Sequence, residues 1–212
     1  ACFSGGNGYG TSLCPSGNPE QYGTGAGANC TGLTGCDHGT HVAGIAAGNG
    51  ASGGVAFNGV AKNANIIAIN VFTNYYGSLT AFDSDIIKGL DYVYGLRYSY
   101  MISSVNMSLG GSTGYTKYCN TIGPAMKKSI DNLRSAKIAT VIASGNDGYT
   151  NKIAYPGCIS SAISVGSTTK TDVVSDFSNS ASFLGLLAPG SEIYSSVPGG
   201  YAYKSGTSMA TP

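Results

Sequence analysis

Met101-Ile102-Ser103-Ser104-Val105-Asn106-Met107 is followed by a stretch from Ile122 to Leu133, and that by Ile138-Ala139-Thr140-Val141-Ile142-Ala143. The outer two are apolar runs of strand length. The middle one carries Ala125, Met126, Ile130 and Leu133 at helical spacing. A strand, a helix and a second strand in this order predict a right-handed crossover between parallel neighbours, with both sheet faces covered. Working outward, Ile66-Ile67-Ala68-Ile69-Asn70-Val71-Phe72 reads as a preceding strand, and residues 83–95, with Ile86, Ile87, Leu90, Val93 and Tyr94, as the helix that links it to Met101. Ala162-Ile163-Ser164-Val165 reads as a shorter last strand. The expected class is α/β, a mostly parallel buried sheet with helices on both faces.

The 212 residues are enough for one domain with a sizeable core. Two regions are expected within it: residues 1–36, rich in Gly, Ser, Asn and Cys without periodicity, and a core over 37–212. Lys plus Arg number 11 against 10 for Asp plus Glu, so the chain lacks the basic field that nucleic acid or an anionic membrane requires. There is no 18-residue apolar run to span a membrane and no signal-peptide pattern. Six cysteines without a C-x-x-C pair argue for disulfides over a zinc site, and for a secreted protein. Six allow 15 pairings. Four lie in the first 36 residues, which leaves Cys119 and Cys158 as the natural third pair. Asn29-Cys30-Thr31 and Asn106-Met107-Ser108 match the glycosylation sequon. The second falls in an expected buried strand and is given no weight.

In parallel sheets function collects in the loops after the carboxyl ends of the strands. Two such loops are glycine-rich: Ser108-Leu109-Gly110-Gly111 and Ser144-Gly145-Asn146-Asp147-Gly148. Upstream, Asp37-His38-Gly39-Thr40-His41 leads into Val42-Ala43-Gly44-Ile45-Ala46-Ala47, a short helix of small residues stopped by Gly48. The chain has only these two histidines. A zinc site is not indicated, because no glutamate stands in the H-E-x-x-H position. His38, at the helix start, can reach out of the core as an acid–base group, whereas His41, one turn on, reads as a buried and hydrogen-bonded ring. Asn146 is placed to donate to an oxyanion.

Gly206-Thr207-Ser208-Met209-Ala210-Thr211-Pro212 alone reads best as a helix cap at Ser208. With His38 upstream and Asn146 between, it reads instead as a nucleophile motif. A G-x-S-x-G elbow is absent, and histidine precedes serine, which removes the α/β-hydrolase plan. The α/β pattern removes the all-β chymotrypsin plan.

Asp37-His38-Gly39-Thr40-His41-Val42-Ala43-Gly44, Ala143-Ser144-Gly145-Asn146-Asp147-Gly148 and Gly206 to Pro212 resemble the histidine, oxyanion-asparagine and serine motifs of the subtilases. Met107-Ser108-Leu109-Gly110-Gly111 is similar to the family's substrate-binding strand. Phe177-Ser178-Asn179 and Leu187-Ala188-Pro189-Gly190 are similar to the segments before its serine. The resemblance starts at about residue 37. It implies a serine endopeptidase acting through an acyl-enzyme, with Ser208 as nucleophile, His38 as base and Asn146 with the Ser208 N–H as oxyanion hole. It also implies protein or peptide substrates bound as an added strand on Ser108, Leu109 and Gly110. Ala143, Ser144 and Gly145 would wall an open P1 pocket for sizeable apolar side chains. The expected protein is a secreted monomer with no required cofactor. Calcium in loops is a structural option, with Asp83, Asp85 and Asp147 as candidate oxygens.

One part of the family pattern is missing. Its triad aspartate precedes the histidine in an Asp-Thr/Ser-Gly motif, yet residues 1–36 contain no aspartate. Asp37 is adjacent to His38, points elsewhere at a helix start, and reads as an acidic N-cap. The aspartate is therefore expected upstream of this chain, which as given would be an inactive fragment. Two non-enzyme alternatives are an inactive subtilase-like binding module and a disulfide-rich structural or glycan-binding module. The parallel-sheet pattern argues against the second.

Overall fold

The computed structural model describes residues 1–50, 54, 55 and 57–212. Its strands are β1 (Cys2–Phe3), β2 (Thr11–Ser12), β3 (Glu20–Gln21), β4 (Phe72–Tyr75), β5 (Ser78–Ala81), β6 (Ser104–Met107), β7 (Gly114–Tyr115), β8 (Ala139–Ala143), β9 (Ile153–Ala154), β10 (Ile163–Thr168), β11 (Leu186–Pro189), β12 (Ile193–Val197) and β13 (Gly200–Lys204). Its helices are α1 (His38–Ala47), α2 (Asp83–Leu96), α3 (Pro124–Ser135) and α4 (Thr207–Ala210).

The centre is a four-stranded parallel sheet in the order β11-β10-β8-β6, as expected for an α/β fold. β8 is apolar on both faces, with Thr140, Ile142 and Ala143 buried, because helices and loops cover both. α3 starts on Pro124, whose missing N–H costs nothing in the first turn. It buries Met126, Ile130 and Leu133 at i, i+4 and i+7, and α2 buries Ile86, Leu90 and Val93 in the same spacing. The two stripes pack on each other, and α3 packs on β8. Cys119 and Cys158 lie in this core, joined as expected.

The other disulfides are Cys2–Cys14 and Cys30–Cys36. The first 36 residues are more than a cross-linked loop. Ala1 to Ser4 are buried, and β1 pairs with β3. Buried Asp85 accepts from the Gly6 N–H at 2.9 Å and from Thr73 Oγ1 at 3.2 Å, which pins this region to the start of α2.

The expected strand at Ile66–Phe72 is not formed as such. Residues 66–69 are in no strand, Asn70 makes a single parallel bridge to Cys2, and Phe72 begins β4, which pairs antiparallel with β2 and β5. A strand needs neighbours on its edges, and the partner here is Ala1 to Phe3, through Phe3 N to Asn70 O at 2.8 Å and Asn70 N to Ala1 O at 3.0 Å. Ile66 and Ile67 are exposed, at 49% and 41%. Among the described residues β6 is likewise paired only with β8. That open edge corrects the reading of Asn106 as buried: it is exposed and donates from Nδ2 to Ser108 Oγ at 3.0 Å.

Candidate active site

α1 can lie close to the β12–β13 hairpin because its residues are small. A methyl group on Gly44 would collide with the hydroxyls of Ser195 and Ser196. Those hydroxyls instead donate to the carbonyls of His41 and Thr40, at 2.8 and 3.1 Å. His41 is fully buried, and its Nε2 lies 3.1 Å from Ile193 O and 3.0 Å from Ala202 O. Two carbonyl neighbours require a proton on Nε2, so the ring donates across both strands. Its Nδ1 has no partner among the described residues. Burial holds His41 below the ordinary histidine range, more than the two carbonyls raise it.

His38 is the first residue of α1 and is half-buried. Burial lowers its pKa, Lys204 and His41 push the same way, and Asp37 opposes them. Asp37 occupies the N-cap position but makes no side-chain cap. Its Oδ2 pairs with Lys204 Nζ at 2.8 Å, which corrects the reading of this residue as an acidic cap. Lys204 draws its carboxyl below the usual aspartate range. Among the described residues the His38 ring has no hydrogen bond.

β13 runs through Ser205 and Gly206 into α4. Gly206, not Ser208, is the N-cap; its φ of 155° and ψ of 158° are a conformation that favours glycine. Ser208 lies inside the helix, half-buried, and its Oγ donates to Ser108 O at 3.3 Å. Ser108 Oγ in turn donates to Ser208 O at 2.7 Å. The serine segment and the Ser108 loop therefore hold each other. α4 packs over β8, β10 and β11, and also touches α1, so Ser208 and His38 stand on contacting helices without a direct hydrogen bond.

Asn146 is exposed on the loop after β8. Its Oδ1 accepts from the Thr207 N–H at 2.8 Å and from Thr207 Oγ1 at 2.9 Å. With the oxygen engaged twice, the amide plane is set and the NH₂ end is left to donate. The loop is held from behind by buried Asn179. Its Oδ1 accepts from the N–H groups of Asp147 and Tyr149, and its Nδ2 donates to Ser144 O and Asp147 Oδ2. Gly145, with φ of 106°, sits so close to Asn179 and Ala154 that a methyl group there would overlap both.

The expected substrate-contacting residues divide. Ser108 faces Ser208, Leu109 is half-buried against the core, and Gly110 is exposed. The carbonyl of Tyr155 accepts from the Gly111 N–H at 2.9 Å and braces this segment. Ala143 and Ser144 are buried, and the Ser144 backbone bonds to Val165 and Ala154, so these two form a floor beneath the site. Sequence reasoning missed Thr207, Tyr155 and Lys204 as partners. Only Thr207 carried a signal, as the residue beside Ser208.

The three aspartates considered for calcium each accept a hydrogen bond from protein groups. Asp83 accepts from Tyr155 Oη at 2.8 Å, Asp85 from Gly6 and Thr73, and Asp147 from Asn179. Among the described residues no three His, Cys, Asp or Glu side chains converge. No described helix is long and apolar enough to cross a membrane.

Residues 19–212 match the model of the Subtilase family, Peptidase_S8, beginning upstream of the motifs that start near residue 37. The chain is 39% identical over 180 residues to an intracellular serine protease of Paenibacillus polymyxa, covering 82% of this chain and 50% of that one. It is 37% identical over 182 residues to subtilisin E of Bacillus subtilis, covering 84% and 43%. It spans about half the length of these curated relatives. Among solved structures, a cold-adapted subtilisin-like serine proteinase superposes with a TM-score of 0.63 at 37% identity, covering 82% of this chain and 57% of that one. Sphericase superposes at 0.69 and 29%, covering 83% and 60%. The chain belongs to the subtilase family.

Proposed function

We propose that the protein built on this chain is a serine endopeptidase that cleaves protein or peptide substrates. The observation that carries this reading is the pairing of Asn146 with the Ser208 segment: Thr207 turns the Asn146 amide so that its NH₂ group is free beside the helix of a half-buried serine. In the proposed reaction Ser208 Oγ bonds to the scissile carbonyl carbon and gives its proton to His38. The resulting oxyanion is held by Asn146 Nδ2 and the Ser208 N–H. Collapse breaks the C–N bond, His38 returns the proton to the leaving amine, and water then releases the acyl group from Ser208 by the same steps. A depressed histidine pKa suits the base, because the ring is neutral at pH 7. The substrate adds as a strand to Ser108, Leu109 and Gly110, with Ala143, Ser144 and Gly145 at the P1 pocket.

An acid to orient the His38 ring comes, in this reading, from a segment outside the 212 residues. Two open edges support it: among the described residues β6 is paired on one side only, and residues 66–70 are paired only with Ala1 to Phe3. A strand bearing the family's Asp-Thr/Ser-Gly motif would satisfy both edges. Three disulfides favour an oxidising, extracellular compartment, even though one relative is named as intracellular. The protease is expected to act as a monomer.

The second reading, an inactive binding module, draws on the absence of any hydrogen bond to the His38 ring among the described residues. Labelling the full-length protein with a fluorophosphonate separates the two. The protease acquires an adduct on Ser208 that S208A abolishes and H38A slows. Folded protein that takes up no label is the binding module.

A further inference from the structure

We infer that the Asp37–Lys204 ion pair positions and tunes the active-site base, joining the start of the His38 helix to the strand that delivers Ser208 and presenting one charge of each sign beside the ring. The inference rests on the reading of His38 as base. The pair is 2.8 Å long, with 38% of the Asp37 and 27% of the Lys204 side chain exposed. Asp37 directly precedes His38, and Lys204 ends β13, shortly before Gly206 caps the Ser208 helix. The other links between α1 and the hairpin, from His41, Ser195 and Ser196, are hydrogen bonds to carbonyls without a counter-charge. Among the described residues only Asp37 and Lys204 span this junction with full charges.

The groups acting electrostatically on His38 are Lys204, His41 and Asp37. Of the elements packed on α1, β12 carries Tyr194, β13 carries Tyr201, Tyr203 and Lys204, and α4 carries no titratable side chain. Burial keeps His41 below the ordinary histidine range against the pull of its two carbonyl partners; at His38, beyond the effect of burial itself, the ion pair supplies a charge of each sign. The two charges of the pair act on the ring in opposite senses, Lys204 lowering its pKa and Asp37 raising it. Removing the lysine leaves Asp37 to stabilise the imidazolium, and removing the aspartate leaves Lys204 to oppose it.

The test is the pH dependence of kcat/KM on a peptide amide in the full-length protein, with rates counted per phosphonate-titrated site. K204M is expected to raise the midpoint of the acid limb and D37N to lower it, each by about half a pH unit. The double variant returns close to the starting midpoint, K204R leaves it in place, and 1 M salt shrinks both shifts. K204Q and D37S remove the same charges if either first variant does not fold. A loss of packing alone moves both midpoints the same way or neither, and either result overturns the inference. NMR titration of the His38 ring in the same variants reads the midpoint without turnover. Opposite shifts in a protein that never acylates Ser208 would contradict the protease reading while leaving the coupling of the ion pair to the His38 ring in place.

Discussion

The two edges of the central sheet contrast sharply. On the β8–β10–β11 side β8 and β10 are paired on both edges and β11 on one, α4 packs over all three, and the Asn146 loop is held by Asn179 behind it and Thr207 beside it. On the other side β6 has one neighbour, Asn106 faces outward, and residues 66–69 carry two exposed isoleucines outside any strand. Ser208 and Asn146, the proposed nucleophile and oxyanion donor, belong to this better-braced, finished side. His38 stands between, braced by the β12–β13 hairpin but without a partner for its ring among the described residues. In the proposed mechanism the half-site that attacks and stabilises is built from local loop chemistry, while orientation of the base depends on a strand pairing that spans the sheet.

Substitutions on the finished side are expected to have the largest effects. Asn146→Ala removes the preset donor and should lower kcat about 10²–10³-fold with little change in KM, a magnitude carried over from subtilisin itself. Steady-state kinetics of the full-length protein check it. Removing Cys119–Cys158, which closes a span of 39 residues inside the core, should cost about 4 kcal/mol in denaturant unfolding. Ile142→Ala, at a fully buried β8 position, should cost about 2–5 kcal/mol in the same experiment.

Protonation tests the junction. Burial depresses both histidines, so the unfolded chain binds more protons than the folded one below the ordinary histidine pKa of about 6.5. Stability should therefore be fully present above that pH and fall as the pH drops from it toward the folded pKa values. H41Q should flatten the slope of Tm against pH across that window. The smallest effect belongs to the open side: Ile66→Ala should change the stability of the 212-residue chain by no more than about 0.5 kcal/mol. The same substitution should cost clearly more in the full-length protein if a strand covers residues 66–70. Equal costs in the two would dissolve the contrast.

The finished side was legible in the sequence because its signals are local. Ile86, Leu90 and Val93 mark α2, Met126, Ile130 and Leu133 mark α3, and the apolar run from Ile138 marks β8 within a residue of its observed start. Motif spacing selected His38, Asn146 and Ser208, which the fold brings to contacting helices and one adjoining loop. Pairing was not legible. Ile66 to Phe72 has the composition of a buried strand, but edges are made by partners and not by propensity. β12 (Ile193-Tyr194-Ser195-Ser196-Val197) and β13 (Gly200-Tyr201-Ala202-Tyr203-Lys204) contain no apolar run, although this hairpin holds α1 in place. Asp37 looked like a cap because its partner, Lys204, is distant in sequence and close only in space.

The most direct measurement is the rate at which Ser208 is acylated in the full-length protein, before and after the aspartate of an Asp-Thr/Ser-Gly motif upstream of Ala1 is replaced by asparagine. If that residue completes the open side and orients His38, the rate falls about 10⁴-fold while the fold and the Asn146–Thr207 contacts persist. An unchanged rate, or labelling of the 212-residue chain alone at the full rate, would contradict the account.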